Sequence, residues 1–154
     1  MAAHPWFPLF VDLSGKKILV VGGGKIALRR IRTLLDFTET VTVVAPQLLP
    51  ELLELESEGK LTVLRRAYVS TDPEGAALVL AATGDEEVNG KVRADCKRLG
   101  IPVNDSSDRQ RSDFYFPGIA RKGGYVAGVT ASGEDHAGAK KLTEAIRELL
   151  ETFD

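Results

Sequence analysis

Three glycines near the start of the chain follow a short β-branched run and precede an amphipathic helical pattern. Gly22, Gly24 and Ala27 fit the G-x-G-x-x-G/A spacing. There the first glycine permits a sharp turn, the second lets a pyrophosphate approach the backbone, and the third small residue lets a helix pack closely on its strand. The phosphates would lie against free N–H groups at the positive end of that helix. We therefore predict a dinucleotide site, with a merely structural glycine turn as the alternative.

The end of the second predicted strand determines how such a site would hold the adenine ribose, which an acidic residue usually bonds. Here the strand ends Val44-Ala45-Pro46-Gln47, without an acid, so backbone groups or Gln47 would hold the ribose. No arginine follows at once to receive a 2′-phosphate, which favours NAD over NADP. Lys25, Arg29 and Arg30 could assist with the phosphates, although Arg29 and Arg30 could equally form a solvated helix face.

Polar residues follow the fourth and fifth predicted strands, where ligands bind in open α/β sheets. Thr83 follows the fourth strand and would lie near the nicotinamide, and Asp85 is a candidate for the same role or for a helix N-cap. After the fifth strand, Asp105, Ser107 and Asp108 are candidates for acid/base work or substrate positioning, because burial can adjust the pKa of a carboxylate. Asp/Ser clusters are also ordinary turn residues, so both interpretations stay open.

The elements that would position these residues alternate along the first two thirds of the chain. Apolar runs at 17–21, 40–45, 61–65, 76–82 and 101–104 predict five strands. Helical patterns predict three helices. The first follows the glycines, the second spans 48–59, and the third runs from Asp85 to Gly100 with a buried stripe that includes Cys96. This order predicts an α/β fold, a Rossmann-like parallel sheet with helices on both faces, over residues 1–113.

The alternation of strand and helix patterns ends after the fifth predicted strand. Residues 105–113 form a polar loop without periodicity, and 114–116 and 125–130 are predicted as two short strands, either a hairpin or strands with partners elsewhere. A helix over 137–153 would present Leu142, Ile146, Leu149 and Leu150 on one face. Because an isolated two-stranded ribbon is marginal in water, we predict that residues 114–154 form a small α+β dimerisation segment that packs on a second copy of the chain.

Composition limits the partners and the compartment. The 154 residues carry a formal net charge of −2, which provides no broad footprint for nucleic acid. The single cysteine excludes an internal disulfide, and we interpret Cys96 as a core thiol in a reducing compartment. No run has the ~20 apolar residues that cross a bilayer, and the N-terminus lacks the pattern of a signal peptide, so we expect a cytoplasmic protein without membrane contact. The two histidines are too few to suggest a metal site, and none is predicted.

The combination of motifs is more specific than each motif alone. The chain resembles the precorrin-2 dehydrogenase family, which includes the N-terminal part of sirohaem synthases. The resemblance covers nearly the whole chain and rests on Pro8-Leu9-Phe10, Val20-Val21-Gly22-Gly23-Gly24, Val41 to Pro46, Ala81-Ala82-Thr83 with Asn89, Val103-Asn104 and Phe114-Tyr115-Phe116-Pro117. It implies NAD-dependent oxidation of precorrin-2 to sirohydrochlorin by a homodimer. By matching position it also implies that the glycine loop with Lys25 and Ile26, and Pro46 with Gln47, contact the cofactor.

The chain departs from the family pattern at identifiable places. Bifunctional members carry an aspartate in the loop after the fifth strand, where this chain has Ser107 between Asp105 and Asp108. We therefore expect a dehydrogenase-only member, in which ferrochelatase activity is doubtful. The family's Ser-Pro before the last helix is replaced by Asp135-His136, and its further helical module would follow Asp154. The alternatives are an NAD(H)-sensing subunit without catalysis and a bifunctional dehydrogenase/ferrochelatase.

Overall fold

The computed structural model describes residues 4–154 of the chain. Residues 12–114 form one compact unit, and residues 4–11 group with residues 115–154 in a second. The first described residues therefore group with the C-terminal part, whereas the sequence-based division placed them in the same domain as the sheet. The predicted division of the chain into two domains at residue 113 stays a prediction.

Five parallel strands form the sheet of the first unit. They are β1 (Ile18–Val21), β2 (Val41–Val44), β3 (Thr62–Leu64), β4 (Leu78–Ala81) and β5 (Val103–Asp105), in the spatial order β3-β2-β1-β4-β5. All four residues of β1 are buried because a strand lies on each side of it and helices cover the sheet. The strand order reverses between β1 and β4, which is where ligands bind in sheets of this kind. The predicted Rossmann-like α/β fold is confirmed.

Three helices cover this sheet: α1 (Lys25–Leu34), α2 (Pro50–Ser57) and α3 (Glu86–Leu99). Leu19 and Val21 of β1 lie in one apolar cluster with Val92 and Cys96 of α3, so successive strand residues alternate between the two faces. Cys96 is fully buried, as predicted for a core thiol, and burial raises the pKa of its thiol to about 12. Asp85 caps the start of α3, which decides between its two interpretations, and the predicted Gly100 ends it with a φ of +70°.

The edge strand β5 ends one residue later than predicted, so Asp105 belongs to the strand and not to the following loop. The continuing chain covers the outer edge of β5. The Val103 N–H donates to Asp113 Oδ2 (2.9 Å), and the Asp105 N–H donates to Ser112 Oγ (2.9 Å). These bonds satisfy edge groups that would otherwise be open to pairing with another chain. They also give the polar loop an ordered form, including a 3₁₀ helix, η1 (Arg109–Arg111).

An antiparallel hairpin forms the centre of the second unit. Its strands are β6 (Gly118–Lys122) and β7 (Tyr125–Val129), joined by a two-residue turn in which Gly123 has a φ of +56°. The predicted hairpin is confirmed, but the prediction of a strand at 114–116 is wrong. Aromatic residues there suggested a pleated strand, yet the Tyr115 ring stacks on Trp6 at 3.7 Å and the ladder begins only after Pro117.

The last helix, α4 (His136–Leu150), packs on this hairpin. Thr143 is buried on α4, and a Cβ at Gly118 of β6 would overlap its Oγ1 atom. Of the four apolar residues predicted to share one face, Leu142 and Leu149 are 53% and 55% exposed, whereas Ile146 and Leu150 are half-buried, because they follow Thr143 at helical spacing. Among residues 4–154, no helix is long and apolar enough to span a bilayer.

Candidate functional site

The first two glycines of the loop at residues 22–24 pack against backbone. Gly22 has a φ of +129°, and a Cβ there would overlap the carbonyl oxygen of Ala82 at the end of β4. A Cβ at Gly23 would overlap the carbonyl oxygen of Gln47. Both positions require glycine because there is no space for a Cβ, and Gly22 requires it also for its positive φ. The loop is thereby fitted between the residues that follow β2 and those that follow β4.

Gly24 meets a different requirement, because a Cβ at this position would contact nothing within 4 Å. It is the N-cap of α1, and no side chain accepts from the N–H groups of the first helical turn. These donors and the positive end of the helix dipole form a site for an anion. Ala27, the third small residue, is a fully buried residue of α1. The geometry therefore fits a pyrophosphate at the glycine loop.

The other predicted cofactor contacts lie around this loop. The Leu49 N–H donates to the Gly23 carbonyl at 2.9 Å, which holds the segment containing the exposed Pro46 and Gln47 against the glycines. Lys25 and Ile26 are exposed in the first turn of α1. On the other side, a Cβ at Gly22 would lie 3.1 Å from the Thr83 nitrogen. The structure thus brings the seven predicted cofactor-binding residues to one edge of the sheet.

A buried asparagine connects Thr83 to the loop after β5. Asn89 of α3 is fully buried, and its Oδ1 accepts from the Thr83 N–H (3.2 Å) and hydroxyl (2.6 Å). Its Nδ2 donates to the Thr83 carbonyl (3.1 Å) and to Ser107 Oγ (3.3 Å). All four hydrogen-bonding positions of the amide are used, so Asn89 ties the end of β4 to the neighbouring loop.

Asp105, the first predicted catalytic residue, is almost fully buried. Its Oδ1 accepts from the Ser107 N–H (2.8 Å) and lies 2.6 Å from Ser107 Oγ, and its Oδ2 forms an ion pair with Arg93. A buried carboxylate needs such compensation, because an unpaired charge in the interior is strongly unfavourable. The carboxylate is therefore occupied in holding Ser107 and Arg93.

Ser107 and Asp108 occupy different surroundings in the same loop. Ser107 is exposed, and its Oγ lies 2.7 Å from Glu86 Oε2 as well as beside Asp105. Asp108 caps η1 by accepting from the Gln110 N–H at 3.0 Å, and it pairs with Arg111 at 3.1 Å. The cap and the pair are structural contacts of the kind expected for a turn aspartate.

The surroundings of Arg30 fit neither of the two roles considered from the sequence, a phosphate contact or a solvated helix face. It is partly buried, and its Nη1 donates to Asn104 Oδ1, joining α1 to β5. Burial, and to a smaller extent the neighbouring Arg29, lower the pKa of Arg30 to about 10. Asn104 in turn donates through Nδ2 to the Phe114 carbonyl at 2.8 Å. Arg30 is therefore part of the scaffold beneath the loop after β5.

The whole of the first unit matches a known protein family. Residues 9–118 match the family NAD_binding_7, described as "Putative NAD(P)-binding". The chain belongs to the NAD_binding_7 family. The predicted cofactor, NAD, falls within the NAD(P) class of this family, and the prediction of a nicotinamide dinucleotide is confirmed.

Individual relatives point to one biosynthetic context. The chain is 44% identical over 149 residues to the "Probable multifunctional siroheme biosynthesis protein HemA" of Ruminiclostridium josui, covering 96% of this chain and 29% of that protein. It is 38% identical over 148 residues to the siroheme synthase of Ectopseudomonas mendocina, covering 96% of this chain and 31% of the relative. The chain thus spans about three tenths of the length of these relatives.

A solved structure matches over most of both chains. The fold superimposes on SirC, a precorrin-2 dehydrogenase, with a TM-score of 0.83 and 29% identity, covering 94% of this chain and 70% of that one. The resemblance to the precorrin-2 dehydrogenase family that the sequence motifs indicated is confirmed by these similarities.

An open cavity of about 710 Å³ elsewhere in the first unit does not belong to the glycine loop. It lies along the second half of α3 and the edge of β5, and its lining includes Lys97, Ile101 and Asp113. None of residues 22–24 contributes to it. In residues 4–154 no group of three or more His, Cys, Asp or Glu side chains is placed to hold a metal ion.

The site predicted from the sequence did not include Arg93 and Glu86. In the structure these two charged residues contact Asp105 and Ser107, respectively. Arg93 lies between the carboxylates of Asp105 and Glu86, at 3.3 Å from the latter. Nothing in the local sequence distinguishes Arg93 from other helix arginines. Glu86 follows β4 directly after the capping Asp85, so the rule that ligands bind beyond strand ends could have selected it.

Proposed function

We propose that the chain catalyses the NAD-dependent oxidation of precorrin-2 to sirohydrochlorin in siroheme biosynthesis. The observation that carries the proposal is the similarity to the precorrin-2 dehydrogenase SirC over 94% of this chain, with a glycine loop whose geometry fits a pyrophosphate. The siroheme synthases among its relatives support the same pathway. NAD, when bound, accepts a hydride from the substrate.

The residues of the chain would divide the work by position. The N–H groups at the start of α1 and the ammonium group of Lys25 would bind the pyrophosphate, and Ile26 and Pro46 would flank the dinucleotide. Gln47 or nearby backbone would hold the adenine ribose, because no acidic residue follows β2. The absence of an arginine directly after β2 supports NAD over NADP. Thr83 would lie at the nicotinamide end.

The loop after β5 would face the tetrapyrrole. Of the three residues predicted as catalytic, Ser107 is the exposed one, so we assign it direct contact with substrate. Asp105 would act as a positioning residue that holds Ser107 by accepting from its backbone N–H, and Asp108 would shape the loop by capping η1. Because precorrin-2 carries several carboxylates, the exposed arginines of η1 are suitable partners for it.

We also propose a cytoplasmic homodimer that uses the second unit. Seven large apolar side chains of that unit are at least half exposed, and these are Phe7, Leu9, Phe10, Val11, Tyr125, Leu142 and Leu149. Within residues 12–114 no large apolar side chain reaches that exposure. Apolar surface concentrated in one part of a molecule is typical of an interface. A second copy is the partner expected for a self-complementary apolar surface.

Sedimentation velocity tests the dimer. Leu149→Glu should shift the protein from dimer to monomer because it places a charge in the exposed apolar surface of α4. Val69→Glu, a comparable change at an exposed residue of the first unit, is the matched control and should leave the dimer intact. A wild-type protein that sediments as a monomer at micromolar concentration would contradict the assignment.

The activity is tested by absorbance under anaerobic conditions with freshly generated precorrin-2 and NAD. We expect NADH and the sirohydrochlorin spectrum to appear together. NAD binding without reduction would indicate the sensing subunit instead. Ferrous or cobaltous ion added afterwards tests metal insertion, and a siroheme or cobalt-sirohydrochlorin spectrum that depends on the protein would restore the bifunctional alternative.

A further inference from the structure

Glu86 is the first residue of α3 and lies directly beyond the carboxyl end of β4. One of its carboxylate oxygens, Oε2, lies 2.7 Å from Ser107 Oγ, and the other, Oε1, lies 3.3 Å from Nη1 and Nη2 of Arg93. The side chain is nevertheless 60% exposed. The carboxylate is therefore held in one orientation by two partners while its remaining surface is open.

The two aspartates near Ser107, Asp105 at the end of β5 and Asp108 in the following loop, do not share this combination. The Asp105 side chain has no exposure, and both of its oxygens are engaged by Ser107 and Arg93. Asp108 uses one oxygen to cap η1 and the other to pair with Arg111. Among the carboxylates near Ser107, Glu86 is thus the most exposed, with 60% of its side chain accessible against 28% for Asp108 and none for Asp105.

Hydrogen bonds connect Glu86 to the predicted nicotinamide end of the cofactor site. Ser107 accepts from Asn89, and Asn89 bonds the backbone and the hydroxyl of Thr83. Thr83 in turn lies beside Gly22 of the glycine loop. Glu86 is therefore fixed at the carboxyl edge of β4 and β5, on the side of the strand-order reversal where the reactive part of a dinucleotide is expected.

We propose that Glu86 is the proton acceptor of the dehydrogenation, with Ser107 and Arg93 as the residues that position its carboxylate. This inference rests on the proposed function. The oxidation removes two hydrogens: one C–H bond of the tetrapyrrole breaks with its electron pair, which leaves as a hydride to NAD⁺. A second bond to hydrogen breaks, its electron pair forms the new double bond, and its proton passes to the Glu86 carboxylate and then to solvent.

The charged groups around Glu86 suit this role. The Ser107 hydrogen bond lowers the pKa of Glu86 most, burial opposes it, and the Arg93 guanidinium and the more distant Arg111 add to the lowering, so that the pKa lies below its ordinary value. Asp105 lies on the other side of Ser107, but its charge is compensated by Arg93. The carboxylate is consequently ionised at neutral pH and able to accept a proton.

Glu86→Gln tests the inference with little risk to folding, because the side chain is exposed and the amide keeps its shape. We expect kcat to fall about 100-fold or more, which is typical of losing a general base, while the Kd for NAD measured by calorimetry stays within twofold of wild type. The acidic limb of the wild-type kcat profile should disappear in the variant. Glu87→Gln, a change at the exposed neighbour, should behave as wild type.

Ser107→Ala supplies a readout that does not depend on turnover. Without the hydroxyl, the pKa of Glu86 should rise towards its ordinary value. The titration is followed by the ¹³C NMR signal of the Glu86 carboxyl carbon, which is assigned as the signal that disappears in Glu86→Gln. The acidic limb of kcat should move to higher pH by the same amount. An unchanged kcat and pH profile in Glu86→Gln, or an unchanged titration in Ser107→Ala, would overturn the inference. If the wild type forms no NADH, the proposed function itself fails and this inference fails with it.

Discussion

Gly24→Asp should separate cofactor binding from folding, because Gly24 has space around it and lies where the phosphates are expected. Its φ of −94° and ψ of −166° are open to any residue, and a Cβ meets nothing within 4 Å. Aspartate is a better N-cap than glycine by a few tenths of a kcal/mol, and a carboxylate at a helix N-terminus adds about 0.3–1 kcal/mol. At about 2–4 °C per kcal/mol, the melting temperature should stay level or rise slightly.

The same carboxylate should oppose the cofactor. A charge about 4 Å from a phosphate repels it by about 4 kcal/mol at an effective dielectric constant of about 20. Solvent will screen part of this, so we expect NAD affinity to fall at least about 100-fold, which corresponds to ~2.7 kcal/mol. Titration calorimetry gives the affinity and differential scanning calorimetry gives the melting temperature of the same preparation.

Gly22→Ala is the matched control, since it should fail in the opposite way. The residue has a φ of +129°, and its Cβ would overlap the Ala82 carbonyl. Strain of this kind costs about 1–3 kcal/mol, before any cost of displacing β4. We therefore expect a lower melting temperature for Gly22→Ala. Wild-type NAD affinity in Gly24→Asp would refute the assignment of the glycine loop to the pyrophosphate.

Three further predictions concern the interior of the first unit. Arg93→Met leaves the Asp105 carboxylate buried without its ion pair, so the free energy of unfolding should fall by about 3–5 kcal/mol in urea titrations. Burial alone would raise the pKa of Asp72, but hydrogen bonds from Arg66 and a backbone N–H outweigh it and lower that pKa. Stability from this pair should therefore be complete above the unfolded pKa and lost as pH falls through the folded pKa, and Asp72→Asn should flatten that dependence in urea titrations between about pH 5 and pH 3. Buried Cys96, with its raised thiol pKa, should resist iodoacetamide at pH 8 until guanidinium is added.

Each of these outcomes has a matched comparison. Lys91→Ala removes an exposed ion pair with Glu87 on the same helix and should cost less than about 1 kcal/mol. An Arg93→Met variant no less stable than Lys91→Ala would contradict the buried-pair argument. If wild type and Asp72→Asn lose stability equally at acid pH, Asp72 is not the source of the pH dependence. Rapid labelling of the native protein by iodoacetamide would show that Cys96 is accessible.

Local signals were sufficient for most of the first unit. The β-branched runs around Val20 and Val43 lie within their strands, and the glycine spacing at residues 22–27 matched a strand, turn and helix. Asp85 and Gly100 marked the two ends of α3. Such signals succeed because the hydrophobic period and the capping bonds depend on residues close in sequence.

Errors appeared where a distant partner determined the outcome. Residues 114–116 have the composition of a strand, but hairpin pairing begins at Gly118, opposite Val129. On α4 the sequence predicted an apolar face but not which side the hairpin covers, and the side that holds Thr143 is buried because it meets Gly118 of β6. Strand pairing and helix orientation both depend on which surface is available, and a periodic pattern contains no information about that surface.

The amino-acid sequence by itself determined the parallel sheet, the glycine loop and the family resemblance, because each is expressed within a short stretch of chain. Only the tertiary structure decided the surroundings of the loop after β5. It buried Asp105 against Arg93, which lies 12 residues earlier, and brought Glu86 to Ser107, which lies 21 residues later. The physical reason is that α3 returns across the sheet between β4 and β5, so charges far apart in sequence meet at one strand edge and set which carboxylate is buried and which is open.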